Sequence, residues 1–312
     1  MSVWELFWWA LAGATLSLLR PKGERLPQAI VEAVRRHRVT MLHFVPSMLA
    51  VFLDALSGRP DRVTGGLGSL RRVFTSGEAL SGAHVKKFNE LIGQRLGTRL
   101  SNLYGPTEAT VDATYFDCPA EGGLDVVPIG RPIQNMRAYV WADGRAVGPG
   151  ETGELCLAGV GLARGYLHRP ELTAERFTAG LVPNERVYRT GDLVRWRPDG
   201  HLEYLGREDH QVKIRGLRIE LGEIENRLRS FPGVADGVVV AKQYSESIIL
   251  LVAYVAAVEP LDRGALKRHL RAALPEYMIP HHFERLAEIP LTASGKADRS
   301  ALPEPVLAGQ PA

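Results

Sequence analysis

Residues 188–225 read YRTGDLVRWRPDGHLEYLGREDHQVKIRGLRIELGEIE, and this stretch decides the fold. In its second half, charged residues alternate with four apolar ones, Val212, Ile214, Leu217 and Ile219. Alternation with a period of two is typical of half-buried strands. Glycines at four positions indicate turns between them, Gly191, Gly200, Gly206 and Gly216. The stretch therefore predicts short polar hairpins, and by pattern alone these could be plain surface strands without a site.

Before this stretch, helical and strand patterns alternate. Apolar residues at helical spacing predict helices over 26–37, 47–56 and 81–92, the last of them capped by Ser81. Runs rich in β-formers predict strands over 39–45, 70–75 and 100–103, and the Gly-rich segment 57–69 is predicted as a loop. Strands that alternate with helices favour a mostly parallel sheet.

After residue 126 the pattern becomes all-β, and after residue 222 it changes again. Short strands over 138–141, 154–158, 194–197 and 201–204 predict a β-barrel-like part or an extra sheet. A helix over 223–231, strands over 235–242 and 248–258 and a helix over 262–274, with the carboxylate of Asp262 at its start, then predict a compact α+β unit. The predicted fold class is thus an α/β large subdomain, with a partial parallel sheet and a β-barrel-like part, followed by a small α+β subdomain.

The amino-terminal segment 3–19 is almost wholly apolar. It has no basic region before it, it contains Glu5, and it is shorter than the ~20 residues of a spanning helix. We therefore expect a buried helix that ends at Gly13, followed by a buried strand over 15–19, rather than a signal peptide or a membrane anchor.

Composition excludes several classes of protein. The chain has 312 residues, 38 basic and 35 acidic, with a net charge of +3, which gives no support for nucleic acid or a membrane surface as partner. Its two cysteines, Cys118 and Cys156, lack a metal-binding spacing, so two buried thiols in a reducing cytoplasm are expected.

Six short motifs carry a resemblance. They are NLYGPTE at 102–108, ARGYL at 163–167, YRTGDL at 188–193, GREDHQVKIRG at 206–216, LPEYMIP at 274–280 and SGKADR at 294–299. In this order they resemble the adenylate-forming (AMP-binding) superfamily, and most of all the adenylation domains of nonribosomal peptide synthetases. Ser294 stands where that family has Asn.

The resemblance implies that a carboxylate attacks the α-phosphate of ATP and expels pyrophosphate. Because two anions must meet, a cation is required at the point of attack, and the resemblance assigns it to Lys296. It implies Mg²⁺ bound by Glu108, a phosphate contact from Thr107, and nucleotide contacts from Asn102, Tyr104, Gly105, Asp192 and Arg207. By pattern alone, Lys296 could instead be a solvated loop lysine, and residues 105–108 a turn with a helix cap. Asp192 could form an Asx turn, and Arg207 a surface ion pair.

The resemblance also implies a second half-reaction. A large subdomain over 1–208 and a small one over 209–302 would move about the hinge Asp209, with 303–312 as a linker tail. Gly216, Leu217 and Arg218 would then approach the thiol of a phosphopantetheine group on a peptidyl carrier domain, and Lys296 would withdraw. No carrier motif occurs in this sequence, so the carrier is expected elsewhere, together with a possible condensation domain.

Aligned by these motifs, seven residues line the substrate pocket: Trp4, His43, Phe74, Ser76, Leu103, Val111 and Asp112. His43 and Asp112 are polar groups on otherwise apolar runs, and buried polar groups need partners. The set resembles that of serine-selective domains, so serine is the expected substrate, and ordinary core and loop residues are the alternative.

The motif that ends in Ser2-Val3-Trp4-Glu5 implies that the residue which grips the substrate amino group, and the phosphate loop, would precede Met1. The chain is therefore expected to be the carboxy-terminal portion of an adenylation domain, poorly soluble or weakly active alone. Two alternatives stay open: an acyl- or aryl-CoA synthetase of the same superfamily, and a non-catalytic truncated remnant.

Overall fold

The computed structural model describes residues 3–207, 211–245, 248–257, 262–292 and 297–305. The chain divides into two compact units, Met1–Asp209 and His210–Ala312.

A five-stranded mixed sheet forms the first half of the first unit. Its strands lie in the order β1-β2-β3-β4-β5. Strands β1, β2 and β3 run parallel, β4 is antiparallel to β3, and β5 is antiparallel to β4. They are β1 (Met41–Phe44), β2 (Arg72–Thr75), β3 (Arg99–Tyr104), β4 (Thr114–Asp117) and β5 (Arg131–Pro132). The predicted parallel part of the sheet is thereby confirmed.

Six helices accompany this sheet. They are α1 (Val3–Leu11), α2 (Pro27–His37), α3 (Pro46–Leu56), α4 (Pro60–Gly66), α5 (Gly82–Phe88) and α6 (Gln94–Leu96), with a π-helical turn at Asn89–Gly93 between the last two. Three of them start with proline in the first turn, where its missing N–H is not needed. Ser81 caps α5 as predicted, since its hydroxyl accepts from the His84 N–H at 3.2 Å.

Helix α4 corrects the prediction of a loop over 57–69. Val63 and Leu67 have no exposed surface and pack into the same core as Phe52 and Phe88. Their burial outweighs the helix penalty of Gly65 and Gly66, a cost of about 1 kcal/mol per glycine.

The amino-terminal prediction is wrong in two respects. Helix α1 forms but has no buried residue, and residues 14–20 form no strand. A strand needs a neighbour to bond with, and in the described part of the chain β1 pairs only with β2. The large apolar side chains of this segment are instead exposed, namely Val3, Leu6, Phe7, Trp8, Trp9, Leu11, Leu18 and Leu19. No described helix combines the length and the apolar character needed to cross a bilayer.

A six-stranded antiparallel sheet completes the first unit. Its path is β11-β10-β8-β6-β7, and β9 also pairs with β10. The strands are β6 (Met136–Ala142), β7 (Arg145–Ala146), β8 (Thr152–Gly159), β9 (Phe177–Ala179), β10 (Arg186–Trp196) and β11 (Leu202–Arg207), and α7 (Pro170–Arg176) precedes β9. The β-rich part is thus an extra sheet and, within the described residues, not a closed barrel.

The second unit is the predicted small α+β unit. A hairpin of β12 (Val212–Ile214) and β13 (Leu217–Ile219) is followed by α8 (Leu221–Arg229), β14 (Asp236–Ser245), β15 (Ile248–Ala256), α9 (Arg263–Arg271) and β16 (His282–Leu286). Strand β15 pairs antiparallel with β14 and parallel with β16, a strand that the sequence did not predict. Asp262 caps α9 by accepting from the N–H groups of Gly264 and Ala265.

Candidate functional site

The first candidate centre is a buried carboxylate, Asp192, that binds two partners. It lies on β10 directly opposite Arg207 on β11, next to a bulge between Leu193 and Val194. Arg207 donates to Oδ1 at 2.6 Å, and the hydroxyl of Tyr104 at the end of β3 donates to Oδ2. The structure thus brings together three residues predicted to contact the nucleotide.

Electrostatics keep the Tyr104 hydroxyl protonated. Burial is the main cause that raises the pKa of Tyr104 well above its usual value of 10, and the charge and hydrogen bond of Asp192 raise it further. Thr190 supports the pair, because its hydroxyl accepts from the Asp192 N–H at 3.0 Å and its carbonyl accepts from Arg207 at 3.1 Å.

The predicted metal ligand, Glu108, lies in a 3₁₀ turn, Thr107–Ala109. Its side chain is buried, and its Oε1 accepts from the hydroxyl of Tyr166 at 2.7 Å, whereas Thr107 is exposed. Mg²⁺ is usually held by one or two carboxylates together with substrate phosphates, so a single glutamate fits this ion. Among the described residues no group of three or more acidic, His or Cys side chains is arranged to hold a metal.

Asn102 and Gly105 hold neighbouring segments of the chain in place in this region. The amide of Asn102 donates to the Pro128 carbonyl at 2.9 Å. A Cβ atom on Gly105 would lie 2.4 Å from the Val111 carbonyl oxygen and 2.6 Å from Cα of Asp112, so only glycine permits this approach. Gly105 therefore sets the distance between the two segments that carry predicted nucleotide and pocket residues.

Four of the predicted pocket residues form one cluster. The rings of Trp4 and His43 are 5.2 Å apart, and those of Trp4 and Phe74 are 5.4 Å apart. His43 Nε2 lies 2.8 Å from the Ser76 hydroxyl, and His43 Nδ1 lies 2.9 Å from Oε1 of Glu5. Glu5 was not predicted as a site residue; its signal was a lone carboxylate inside an apolar helix.

Asp112 belongs to the same cluster. Burial raises the pKa of Asp112 above its ordinary value of 3.8, while the charge of His43 and the indole N–H of Trp4 oppose the shift. The indole N–H thus lies close enough to act on the Asp112 carboxylate, but neither Oδ1 of Asp112 nor Nε1 of Trp4 has a partner at normal hydrogen-bond geometry among the described atoms. One polar donor and one polar acceptor are thus unsatisfied in the same cluster.

The remaining two predicted pocket residues, Leu103 and Val111, lie between Ser76 and Asp112 in the sequence. Leu103 is half-buried on β3, and Val111 is the central residue of a γ-turn in which the Asp112 N–H donates to the Thr110 carbonyl at 3.0 Å. The φ angle of Val111 is +76°, a strained conformation for a β-branched residue. Such strain is found most often at ligand-binding sites.

In the second unit, the predicted thiolation loop is the β12–β13 turn. Arg215 and Gly216 both have positive φ, 53° and 73°, as a two-residue hairpin turn requires. Leu217 pairs with Ile214, and Arg218 approaches Glu220 at 3.4 Å. Lys296 and Asp209, predicted as the catalytic cation and the hinge, lie outside the described residues.

Family models match both units. Residues 1–167 match the model described as AMP-binding enzyme, and residues 223–296 match the AMP-binding enzyme C-terminal domain.

Two curated proteins, a synthase and a tripeptide synthetase, are similar over nearly the whole chain. Zwittermicin A synthase ZmaJ of Bacillus cereus is 49% identical over 309 residues, which cover 97% of this chain and 57% of that protein. Phosphinothricin tripeptide synthetase PhsB of Streptomyces viridochromogenes is 49% identical over 319 residues, which cover 100% of this chain and 26% of that protein. The chain thus spans only part of the length of these relatives.

Two solved structures are also similar. One, a nonribosomal peptide synthetase protein containing adenylation and PCP domains, bound to a vinylsulfonamide inhibitor, has a TM-score of 0.73 at 29% identity, covering 88% of this chain and 46% of its own. The other, a four-domain nonribosomal peptide synthetase bound to AMP and glycine, has a TM-score of 0.56 at 38% identity, covering 96% of this chain and 22% of its own.

Proposed function

The chain belongs to the AMP-binding enzyme family, and we propose that it activates an amino acid as the adenylation domain of a nonribosomal peptide synthetase. The main support for this proposal is family membership, which agrees with the resemblance indicated by the six motifs. That resemblance is confirmed. The similar synthetase bound to AMP and glycine supports a nucleotide and an amino acid as the two ligands.

The proposed reaction is an adenylation. A carboxylate oxygen of the amino acid attacks the α-phosphorus of ATP, the bond from that phosphorus to the bridging oxygen breaks, and pyrophosphate leaves. Negative charge accumulates at the point of attack, so a positioned cation there lowers the barrier. We assign this role to Lys296, which the motif at 294–299 supports.

Asp192, Arg207 and Tyr104 are proposed to bind the nucleoside. A carboxylate can accept two hydrogen bonds from the ribose hydroxyls, and Arg207 holds the Asp192 carboxylate in a fixed orientation at 2.6 Å. The aromatic ring of Tyr104 would stack on adenine. Tyr104 already donates to Oδ2, so a ribose hydroxyl at that oxygen must either use its remaining lone pair or displace Tyr104.

Glu108 and Thr107 are proposed to act at the phosphates. The Glu108 carboxylate would hold Mg²⁺, which neutralises phosphate charge when bound, and the hydroxyl of Tyr166 keeps that carboxylate oriented. The exposed hydroxyl of Thr107 would donate to a phosphate oxygen.

Serine is the proposed substrate, and the two unsatisfied buried atoms support it. A hydroxyl group can accept from the Trp4 indole N–H while it donates to Oδ1 of Asp112. An aliphatic or aryl acid would leave both atoms with no partner but each other, so it would lack the hydrogen bonds that a hydroxyl adds. The pocket therefore favours a hydroxylated amino acid over the substrate of an acyl- or aryl-CoA synthetase.

The second half-reaction is proposed to transfer the aminoacyl group to a phosphopantetheine thiol on a carrier domain, with a rotation about Asp209. The solved relative that contains adenylation and PCP domains supports a carrier as partner. The turn at Gly216, Leu217 and Arg218 would line the path of the thiol.

Amino-acid-dependent exchange of labelled pyrophosphate into ATP tests the proposal, measured on the polypeptide that the gene encodes. We expect serine to drive exchange well above alanine or a benzoic or fatty acid. Strong exchange with a fatty or aryl acid and none with serine would favour the CoA-synthetase alternative, and no exchange with any acid would favour a non-catalytic remnant.

A further inference from the structure

Glu5, His43 and Ser76 form a continuous chain of hydrogen-bonding groups. Oε1 of Glu5 lies 2.9 Å from Nδ1 of His43, and Nε2 of the same ring lies 2.8 Å from the Ser76 hydroxyl. The His43 side chain is only 6% exposed and that of Glu5 is 33% exposed. Glu5 therefore connects solvent to a buried pocket through a single imidazole.

The carboxylate determines which ring nitrogen carries the proton. An ionised carboxylate only accepts, so Nδ1 must donate to Glu5. When the ring is neutral, Nε2 is then an acceptor and the hydroxyl of Ser76 must donate to it, whereas a protonated ring would donate from both nitrogens. In the neutral form the Ser76 oxygen consequently presents lone pairs, and not its proton, to other groups in the pocket.

We propose that Glu5 is a positioning residue for amino-acid selection: it fixes the tautomer and the plane of His43, and through them the direction in which the Ser76 hydroxyl can bond. The inference rests on the proposed function. It makes the pocket select side chains that donate a hydrogen bond, whose single proton either Ser76 or Oδ1 of Asp112 can accept.

A purely structural role for Glu5 is the competing explanation. Helix α1 has no buried residue, so the contacts of Glu5 with His43 and of the Trp4 ring with its neighbours help to hold this helix. Loss of an anchor would lower stability and activity toward every substrate equally. Loss of the group that fixes the His43 tautomer would change which ring nitrogen is protonated. It would also change the ratio of activities with different substrates.

The test compares Glu5→Gln with Glu24→Gln, a control that removes a carboxylate from a solvent-exposed pair with Arg25 at 3.6 Å. The histidines are labelled with ¹⁵N, and the His43 signals, among nine histidines, are identified by their absence in His43→Gln. We expect an Nδ1-protonated ring in the unsubstituted protein and in E24Q. In E5Q we expect an Nε2-protonated or mixed ring, since the Gln carbonyl and amide can either accept or donate.

The second readout is the ratio of kcat/KM for serine to that for alanine in pyrophosphate exchange. A misdirected hydrogen bond weakens binding of the serine hydroxyl and leaves alanine unaffected, so we expect this ratio to fall about tenfold in E5Q and to stay unchanged in E24Q. Glu5→Asp, which keeps the carboxylate, is expected to retain the Nδ1-protonated ring. It serves as the second variant if E5Q does not fold.

An unchanged tautomer in E5Q, or an equal loss of activity with serine and with alanine, would overturn the inference. Absence of serine-dependent exchange in the unsubstituted protein would overturn the proposed function instead. In that case the ring-nitrogen signals still decide whether Glu5 fixes the tautomer of His43.

Discussion

The hydroxyl of Tyr104 donates a hydrogen bond to Oδ2 of Asp192, a residue 88 positions further along the chain. Both side chains are buried, and the other carboxylate oxygen of Asp192 accepts from Arg207. The carboxylate proposed to bind ribose is thus satisfied by the protein itself when no nucleotide is bound. A ribose hydroxyl therefore competes with Tyr104 for the lone pairs of Oδ2, so nucleotide binding gains less than a free carboxylate would give.

Tyr104→Phe should separate the two roles of this hydroxyl. Without it, Oδ2 loses its donor, and we expect the free energy of unfolding to fall by about 1–3 kcal/mol. AMP should bind more tightly, because the ring remains for stacking and no hydroxyl competes with the ribose. Urea unfolding and calorimetric titration with AMP measure the two effects.

Tyr139→Phe is the matched control for Tyr104→Phe. Its hydroxyl donates to Glu185 at 3.2 Å from a half-buried position. We expect a smaller loss of stability and no change in affinity for AMP. Weaker binding of AMP by the Tyr104→Phe variant would contradict the competition between hydroxyl and ribose.

The same pair predicts a stability change at alkaline pH. The pKa of Tyr104 is higher in the folded protein than in the unfolded chain, where it is about 10. Its stabilising contribution is therefore complete below about pH 10 and is lost as the pH rises from there through the raised pKa of the folded state. The difference in unfolding free energy between the unsubstituted protein and Tyr104→Phe should be constant from about pH 7 to 9 and shrink above about pH 10. A difference that changes below about pH 9 would contradict this assignment.

Arg207→Gln should destabilise the first unit strongly. Arg207 and Asp192 are 9% and 6% exposed, so removal of the cation leaves a buried charge, at a cost of about 3–5 kcal/mol. Arg195→Gln is the control on the same two strands. Arg195 pairs with Glu203 at 3.0 Å but is 45% exposed, so we expect the free energy of unfolding to fall by only about 1 kcal/mol.

The free energies of unfolding of the Arg207 and Arg195 variants are measured in urea and compared. The double variant Asp192→Asn, Arg207→Gln should recover part of the stability that Arg207→Gln loses, because no charge is then left buried. Equal losses in the two single variants would mean that burial does not decide the strength of these pairs.

Local patterns in the sequence predicted those elements whose formation depends on their own residues. The spacing of Ile30 and Val34 predicted α2, the Ser81 cap predicted the start of α5, and the carboxylate of Asp262 predicted the start of α9. In each case the signal and the structure that it determines lie within a few residues of each other.

Features that depend on distant partners were not predictable in this way. The apolar residues of α1 indicated burial, but burial depends on what packs opposite, and α1 has no buried residue. Likewise the contact of Glu5 with His43 joins positions 38 residues apart, and no local pattern encodes it. The motifs identified Tyr104, Asp192 and Arg207 as a set but not the hydrogen bond that occupies Oδ2.

Lys296→Ala tests the cation on which the proposed chemistry depends. If Lys296 stabilises the charge that develops between carboxylate and α-phosphate, its loss should lower kcat for serine-dependent exchange by about 10²–10³. If the lysine acts only on the reacting groups and holds no part of the fold, the free energy of unfolding should change by less than about 0.5 kcal/mol.

Two further variants in the same unit show whether the effect of Lys296→Ala is specific. Lys242 pairs with Glu304 at 2.8 Å, and Lys242→Ala should leave exchange unchanged. Arg299, three residues after Lys296, binds the buried carboxylate of Glu225 at 2.7 Å and fixes the chain there. Arg299→Gln should therefore lower both exchange and stability, since it frees the chain at residue 299 and leaves the buried Glu225 to the more distant cation of Arg229, at 3.9 Å. If Lys296→Ala instead lowers stability as Arg299→Gln does and leaves kcat unchanged, the lysine holds the fold and does not stabilise the developing charge.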